Sequence, residues 1–409
     1  MSGDLRAMAE ALDRADPLAP CRMRFHLPEG EIYLDGNSLG SLPRAVPERV
    51  DQVLRGQWGR DRIAAWNRHG WIDLPQRVAR RLAPLLGCAD DEVAVGDSVS
   101  VNLYKLATAA LRDRPDRGVV VAVEGEFPTD LYILDGICRS EGRRLLRVPA
   151  ARLEEVLDSQ VALLCLSHVH YRSGEVRPLA SLTAAAHRAG ARVLWDLSHS
   201  AGAMPVDLGE AGADLAVGCG YKYLNGGPGA PAFLYVARPL QERLRSPLQG
   251  WMGHARPFDF SPDYEPAPGM SRWLCGTPPI LSLAALDAAL GVFEDVDLVR
   301  VREKSLRLGR LFLDAARDLC PPLSPIGPSG DEHRGSQVAF AHPEAFAVVQ
   351  ALIARGVVGD FRAPDLLRFG LAPLYLRHTE VVDAAEALRQ VLRHEEWRDP
   401  AFRRRGKVT

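Results

Sequence analysis

The sequence predicts an α/β protein in which helices cover a mostly parallel sheet, with a smaller C-terminal α+β domain. Three observations lead to this prediction. Between residues 119 and 236, short apolar runs lack the in-and-out alternation of half-buried strands, which indicates a sheet buried on both faces. Segments with helical periodicity separate these runs. From about residue 296, the pattern changes to a long helical region and then to mixed short strands and helices.

The first 45 residues are expected to form an N-terminal segment of their own. Residues 1–15 have a helical pattern that prolines end, and Ile32–Leu42 is interpreted as a short strand followed by a glycine-containing loop. The large domain is expected to span residues 46–295 and to open with a helix that has an arginine face, Gln76–Leu86.

Strands and helices alternate through the large domain. We predict its strands at Val119–Val123, Leu145–Val148, Val161–Leu166, Arg192–Trp195, Leu215–Gly218 and Ala232–Val236. Its other helices are predicted at Leu153–Leu157, Ala180–Ala189 and Ile280–Phe293. Strands that alternate with helices are typical of parallel neighbours in one sheet.

The small domain is expected to span residues 296–409 and to begin with the helix Val299–Leu319, which a proline-rich stretch ends. Beyond that stretch we predict two strands, Gln337–Ala341 and Leu366–Leu371, and two helices, Glu344–Arg355 and Thr379–Leu392. The final residues, RDPAFRRRGKVT, are basic and are expected to be a solvated, partly disordered end.

The charge balance argues against a nucleic-acid-binding protein, which would need a basic surplus. The chain of 409 residues has 50 basic and 52 acidic side chains, a formal net charge of −2. Lysine occurs only at positions 105, 222, 304 and 407. A reaction that needs a lysine amine therefore has few candidates, and Lys105, Lys304 and Lys407 are expected to be solvated surface charges.

The cysteines and the N-terminus indicate a reducing compartment. The seven cysteines include no C-x-x-C pair, so neither a disulfide framework nor a zinc site is suggested. The N-terminal residues lack the apolar core of a signal peptide, and no apolar run is long enough to span a membrane. We therefore expect a cytoplasmic protein without a membrane partner.

The stretch Val193–Gly229 carries the most specific chemical signal. Asp196 follows a predicted strand, and the carboxyl ends of parallel strands are where such sheets bind ligands. Lys222 follows the next strand and precedes the glycine-rich turn Gly226–Gly229. Either residue alone would be ordinary, as a helix cap or a solvated charge. Together they match what pyridoxal phosphate needs: an amine for its aldehyde, a carboxylate for its ring nitrogen and a turn of small residues for its phosphate.

Motifs along most of the chain resemble those of the fold-type-I pyridoxal-phosphate enzymes, and within them the kynureninases. The motifs are YLDGNSLGSLP (Tyr33–Pro43), FPTD (Phe127–Asp130), DLSH (Asp196–His199), YKYLN (Tyr221–Asn225), GWMGH (Gly250–His254), CGTPPIL (Cys275–Leu281) and RFGLAPLY (Arg368–Tyr375). YLDGNSLG and GWMGH are the most diagnostic, whereas DLSH with YKYLN indicates only the wider superfamily.

The resemblance implies an aminotransferase class V-like fold, pyridoxal 5'-phosphate as cofactor, and a reaction of tryptophan degradation on the route to NAD. In that reaction L-kynurenine is hydrolysed to anthranilate and L-alanine, and 3-hydroxykynurenine to 3-hydroxyanthranilate and L-alanine. Which of the two substrates is preferred stays open.

The resemblance also implies roles for individual residues. Lys222 is similar to the lysine that binds the cofactor and takes the substrate's α-proton, and Asp196 to the partner of the pyridinium nitrogen. Phe127 is similar to the aromatic that stacks on the ring, and Tyr221 to a residue that passes protons near the reacting carbons. Further matches to cofactor contacts are Val99, Ser100, Pro128, Thr129, Asp130, Ser167 and His199.

Two more matches imply a homodimer with shared active sites. Trp251 and Thr277 resemble residues that reach the cofactor from a neighbouring subunit. Gly276 and Thr277 replace a hydrogen-bonding pair found in some relatives, a difference that bears on ring-hydroxylated substrates.

On the substrate side, Arg368 is similar to the arginine that binds the substrate carboxylate. A planar guanidinium pairs with both carboxylate oxygens, although an ordinary surface arginine is the competing interpretation in so arginine-rich a chain. His69 and Trp71 are expected near the substrate ring.

Other functions stay open on the sequence alone. A cysteine desulfurase or a related class V aminotransferase-like enzyme would share the fold, and the former needs a reactive thiolate, for which Cys320 is a loose candidate. A non-catalytic cofactor-binding regulator would lack the substrate-binding groups. No G-x-G-x-x-G follows an early strand, which disfavours a nicotinamide-binding domain. His168 and His170 have no evident third ligand, so we expect structural histidines and no metal.

Overall fold

The computed structural model of the protein describes residues 2–320 and 323–406, which contain three sheets. The strands are β1 (Ile32–Tyr33), β2 (Val93–Val95), β3 (Val119–Val123), β4 (Arg144–Val148), β5 (Val161–Ser167), β6 (Arg192–Asp196), β7 (Leu215–Gly218), β8 (Phe233–Val236), β9 (Ser324–Ile326), β10 (Gln337–Ala341), β11 (Val357–Val358), β12 (Asp360–Arg362) and β13 (Leu366–Gly370). The helices are α1 (Ser2–Arg14), α2 (Ala45–Asp51), α3 (Ala65–Arg68), α4 (Leu74–Leu86), α5 (Val99–Arg112), α6 (Pro128–Ser140), α7 (Leu153–Val156), α8 (Leu179–Arg188), α9 (Arg238–Gln241), α10 (Ile280–Ala289), α11 (Leu298–Leu319), α12 (Ala345–Ala354) and α13 (His378–Arg393). A π-helical segment, Gln52–Asp61, continues α2.

The large sheet has seven strands in the order β2-β8-β7-β6-β5-β3-β4. All of them run parallel except β8, which is antiparallel to both of its neighbours. The connection between β7 and β8 contains no helix, so the chain returns beside β7 without the crossover that a parallel pair needs. The predicted α/β class with a mostly parallel sheet is confirmed.

Apolar clusters cover both faces of this sheet. Alternate residues of β3 belong to different clusters: Val120 and Ala122 pack with α5 and α6, and Val121 and Val123 with the opposite cluster. Because both faces are buried, every residue of β3 is apolar, which explains the missing alternation in the sequence.

The smaller sheet is antiparallel, in the order β12-β13-β10-β9. The N-terminal residues pack against this part of the protein, because β1 pairs with β11 and α1 packs against α11 and α13. Among the described residues, no helix is both long and apolar enough to cross a membrane.

Two of the four lysines are buried, contrary to the prediction of solvated charges. Lys105 is 1% exposed and donates from Nζ to Asp97 and to the Trp273 carbonyl oxygen, 2.7 Å away. Lys304 is 2% exposed, and its Nζ lies 2.7 Å from Asp16 Oδ2. The prediction for these two is wrong, because a lysine can be buried when a carboxylate compensates its charge. Lys407 lies outside the described residues.

The described part of the C-terminal end, residues 398–406, is largely exposed, as predicted, but it is folded and not disordered. Short 3-10 helices lie at Glu396–Arg398 and Pro400–Arg403, and Trp397 and Phe402 pack against the apolar core. The Arg405 guanidinium lies 5.3 Å from the centre of the Phe346 ring. The sequence pattern missed this folded end because it weighed the arginines of the segment and not Phe402 or the adjacent Trp397. Residues 407–409 of the predicted tail lie outside the described residues.

Replacing Lys304 with methionine is expected to lower the free energy of unfolding by about 3–5 kcal/mol, because Asp16 then keeps an uncompensated buried charge. Urea-induced unfolding followed by circular dichroism measures the change. Arg152→Met is the control, since Arg152 and Glu155 form an exposed pair that should contribute little. Equal losses for both variants would contradict the structural role of the buried pair.

Candidate active site

A cavity of about 360 Å³ lies at the carboxyl-terminal edge of the large sheet. Ten of the residues singled out from the sequence line it: Val99, Ser100, Phe127, Thr129, Asp130, Ser167, Asp196, His199, Tyr221 and Lys222. A larger cavity, about 890 Å³, lies beside the small sheet among residues 310–340, but none of those ten line it. The chemistry therefore points to the smaller cavity.

The parallel strands explain why these residues meet. Ser167 ends β5, Asp196 ends β6, and Lys222 follows the end of β7. Phe127 lies between β3 and α6. Since neighbouring parallel strands end at the same edge, residues far apart in the sequence come to one place.

The Lys222 amine is hydrogen-bonded to a histidine in the cavity wall. Its Nζ lies 3.0 Å from Nε2 of His199. Burial, reinforced by the positive charge of Lys222, lowers the pKa of His199 well below its usual range, so the imidazole is neutral and accepts from the ammonium. The other ring nitrogen, Nδ1, is buried and has no partner among the described residues.

Two buried carboxyl groups face each other across from Lys222. Burial, and next the charge of Asp196, raise the pKa of Asp130 well above its usual range, and the two side chains are hydrogen-bonded. Asp130 therefore keeps its proton beside Asp196. Asp196 Oδ1 also accepts from the Ser198 amide at 2.8 Å. Among the described residues, no arginine or lysine forms an ion pair with either carboxyl group, so the pair would accept a cationic ligand atom.

The amino-terminal end of α5 forms another wall. Ser98 caps this helix by accepting from the Val101 amide at 3.3 Å, and Ser100 lies in its first turn. A helix amino terminus with free amides and hydroxyls suits a phosphate. The ion pair of the buried Lys105 with the partly exposed Asp97 fixes the turn just before it.

Aromatic side chains line the mouth of the cavity. Phe127 is 43% exposed and contacts Tyr171 edge-on, with the ring centres 5.4 Å apart. Burial raises the pKa of Tyr221, so its phenol keeps its proton and acts as a donor. A flat ring in the cavity would have Phe127 available to stack on it.

Sequence reasoning missed several residues of the site. Asp97, Ser98, Val169, Tyr171, Ser198 and Cys219 also line the cavity. Behind them, Glu126 accepts from the Ser167 hydroxyl and pairs with the buried Arg177. Arg177 also donates to the Ser167 carbonyl at 2.6 Å. Glu126 directly precedes the FPTD motif, and this position is the feature of the sequence that could have indicated the Glu126–Arg177 pair.

The glycine-rich motif near the N-terminus packs on the lysine loop. The Gly40 amide donates to the Tyr221 carbonyl at 2.8 Å, and a Cβ at Gly40 would overlap the Lys222 carbonyl oxygen. A side chain at this position would therefore displace Lys222, which gives a physical reason for a glycine here.

Arg368 lies behind the cavity and not on its surface. It is 1% exposed, which excludes the interpretation of an ordinary surface arginine. Its Nη1 donates to the carbonyl of the cavity residue Tyr171 at 2.7 Å, and Nη2 donates to Asp360 and Ser38.

Five other residues singled out from the sequence do not line this cavity. Pro128 is the first residue of α6. His69 bonds Asp61 at 2.6 Å, and the Trp71 indole donates to Gln57. Trp251 and Thr277 are exposed, and Trp251 contacts Phe258 edge-on.

The side chains considered for a desulfurase and for a metal site have other environments in the structure. Cys320 is buried, and burial raises its pKa to about 12, so it is no reactive thiolate. His170 uses both ring nitrogens, with Ser173 and the Gly125 carbonyl, and His168 packs edge-on against Trp195. No cluster of metal-ligating side chains occurs in residues 2–320 or 323–406.

The chain is similar to several known proteins. A family profile described as the kynureninase C-terminal domain matches residues 301–388. A kynureninase of Burkholderia mallei (strain SAVP1) is 50% identical over 414 residues, covering 99% of each chain. One of Pseudomonas fluorescens is 47% identical over 98% of each chain. Among solved structures, a cysteine desulfurase of Thermococcus onnurineus NA1 superposes with a TM-score of 0.78 at 19% identity, covering 92% of this chain and 98% of the other.

Proposed function

The chain belongs to the kynureninase family, and we propose on that premise that it hydrolyses L-kynurenine to anthranilate and L-alanine, with 3-hydroxykynurenine as a second candidate substrate. One observation carries the proposal: the Lys222 amine and the Asp130–Asp196 carboxyl pair line the same cavity. The two substrates share everything but a ring hydroxyl, so one site would bind both.

The residues of the cavity fit pyridoxal 5'-phosphate. Among the described residues, no arginine or lysine forms an ion pair with the carboxyl pair, a role that a protonated ring nitrogen would take, and the buried Nδ1 of His199 has no partner there. Lys222 would hold the aldehyde carbon, and Phe127 would cover the ring. Val99, Ser100, Pro128, Thr129 and Ser167 belong to the elements that would surround the cofactor and its phosphate.

When bound, pyridoxal phosphate supplies an electron sink for negative charge that develops on the substrate. The Lys222 amine, once free, takes the α-proton, and Asp196 keeps the ring nitrogen protonated. Hydrolysis breaks the Cβ–Cγ bond, so that the hydroxyl of water ends on Cγ and a proton ends on Cβ. We propose that the Tyr221 phenol, which is protonated because burial raises its pKa, delivers that proton.

The fold is shared with desulfurases, but the chemistry favours hydrolysis. The structural likeness to the desulfurase is at 19% identity and carries the fold alone. The relatives at 47–50% identity over nearly the whole chain are kynureninases. A desulfurase would also need a thiolate near the cofactor, and Cys320 is buried with a raised pKa.

We further propose a cytoplasmic homodimer in which each subunit completes its partner's site. The exposed Trp251 and Thr277, absent from the cavity wall of their own subunit, support this arrangement. All seven cysteines are free, which suits a reducing compartment. For the subunit we propose an N-terminal segment (1–45), a large domain (46–295) and a small domain (296–409), the last supported by the family match at 301–388.

Lys222→Ala is expected to abolish both anthranilate formation and the visible absorption of the lysine-linked cofactor, because no other lysine within residues 2–320 and 323–406 lines the cavity. Anthranilate fluorescence and an absorption spectrum measure the two effects. Lys407→Ala is the matched control and should keep both. Retention of turnover and absorption by Lys222→Ala would refute the proposed function.

Mixing inactive Lys222→Ala with Trp251→Ala subunits is expected to restore activity, because each mixed dimer would contain one site with both residues intact. The subunits are unfolded together in urea, refolded with pyridoxal phosphate and assayed for anthranilate. Each variant refolded alone is the control. No recovery in the mixture, despite dimers in sedimentation, would contradict shared sites.

A further inference from the structure

Behind the cavity, two arginines and two carboxyl groups form a carboxylate–arginine cluster, defined by Asp35, Asp360, Arg362 and Arg368. Asp360 Oδ2 accepts from Nη2 of Arg368 and lies 2.9 Å from Nη2 of Arg362. The side chains of Arg368 and Asp360 are 1% and 3% exposed. One buried carboxylate thus pairs with a buried guanidinium, that of Arg368, and with the partly exposed one of Arg362.

The contacts of Arg368 fix its direction relative to the cavity. Asp360 and the Ser38 hydroxyl hold Nη2, the latter at 2.8 Å. Nη1 donates at 2.7 Å to the carbonyl of Tyr171, whose side chain lines the cavity. Asp360 provides the charged contact among these, so its loss would leave only neutral groups to orient the guanidinium.

Asp35 lies beside Arg368, because its backbone forms a bridge with Gly370 of β13. The Asn37 amide connects the two side chains: its nitrogen donates to Asp35 Oδ1 and its oxygen accepts from Arg368 Nε, each at 3.2 Å. The cluster therefore has room for one more negative charge. Burial and the charge of Asp360 raise the pKa of Asp35 to about 7, against a smaller opposing effect of the two arginines. With Asp35 neutral, two guanidinium groups face one carboxylate, which leaves a net positive charge. With Asp35 ionised, the charges cancel.

Among the described residues, the charged side chains that chiefly affect the ionisation of Asp35 are those of the cluster itself. The charged groups that act on it are Asp360, Arg362 and Arg368. The titratable groups that face it from other elements are tyrosines, Tyr33 from β1, Tyr223 from the lysine loop and Tyr375 after β13, and burial raises the pKa of each. These phenols stay neutral, so Asp35 alone changes the charge of the cluster near neutral pH.

We propose that the two carboxyl groups control how the enzyme binds the carboxylate of its amino-acid substrate: Asp360 is a positioning residue that aims Arg368 at the cavity, and Asp35 must keep its proton for the carboxylate to bind well. The proposal rests on the proposed function. Neither carboxyl group touches the reacting atoms, so both act on substrate affinity and not on the chemical steps.

The test for Asp35 is the KM for L-kynurenine between about pH 6 and pH 8. Wild type and Asp35→Asn are compared at each pH, so that titrations common to both cancel. The ratio of the wild-type KM to the variant KM should rise roughly tenfold over this range, because only wild type gains the repelling charge. The ratio of the kcat values should stay flat. A flat KM ratio overturns the role of Asp35.

The test for Asp360 separates positioning from charge alone. Asp360→Asn removes a negative charge, which by itself would strengthen carboxylate binding and lower KM. Loss of positioning does the opposite, and we expect KM to rise about tenfold at every pH with little change in kcat. Asp360→Glu should recover part of the loss. A lower or unchanged KM for Asp360→Asn overturns the positioning role.

Asp365→Asn is the matched control, since Asp365 lies in the same segment and its carboxylate is 3.9 Å from Arg172. If a cluster variant does not fold, calorimetric binding of L-alanine to the wild-type holoenzyme replaces it. Affinity should then fall as the pH rises through about 7, after correction for the amine's titration; a flat affinity overturns the proposal. Failure of wild type to form anthranilate would count against the proposed function instead.

Discussion

The hydrogen-bonded carboxyl pair of Asp130 and Asp196 is the constraint on which the rest of the site depends. Burial of two carboxyl groups is costly, and Asp130 meets this cost by keeping its proton beside Asp196. Asp196 ends β6 and Asp130 lies in the first turn of α6, so these two elements bring the pair into the cavity that Lys222 also lines. A ring that is cationic at one end and carries an aldehyde at the other would satisfy both groups at once.

The surrounding elements support these two contacts. The ion pair of the buried Lys105 with the partly exposed Asp97 fixes the turn before α5, and the Glu126–Arg177 pair anchors Ser167 at the end of β5. The carboxylate–arginine cluster adds positive charge behind Tyr171. Together these charges suit a zwitterionic substrate, with a cofactor held on one side and a carboxylate drawn toward the other. The Glu126–Arg177 pair joins residues 51 positions apart in the sequence, whereas the partners in Lys105–Asp97 and Arg368–Asp360 are each eight positions apart.

The local sequence pattern predicted many of the strands and site residues. It missed features that depend on contacts between residues distant in the sequence. The runs at Val119–Val123 and Leu215–Gly218 are buried on both faces, so composition alone located those strands. The sequence alone indicated Asp196 and Lys222, because Asp196 directly follows one predicted strand and Lys222 lies shortly after the next. The burial of Lys105 and Lys304 could not be foreseen, since the Trp273 carbonyl that binds Lys105 and the Asp16 carboxylate that binds Lys304 come near only in the folded chain. The cavity residue Tyr171 belongs to no recognisable motif, and the partnership of Asp360 with Arg368 arises from the register of β12 against β13.

The most direct test of the central claim is the infrared signal of the protonated carboxyl group that Asp130→Asn removes. In protein freed of cofactor, this signal should be present, because Asp130 keeps its proton beside Asp196. Addition of pyridoxal phosphate should abolish this signal, since the protonated ring nitrogen takes the place of the Asp130 proton. A signal that persists unchanged while the visible absorption shows the cofactor bound to Lys222 would contradict the account.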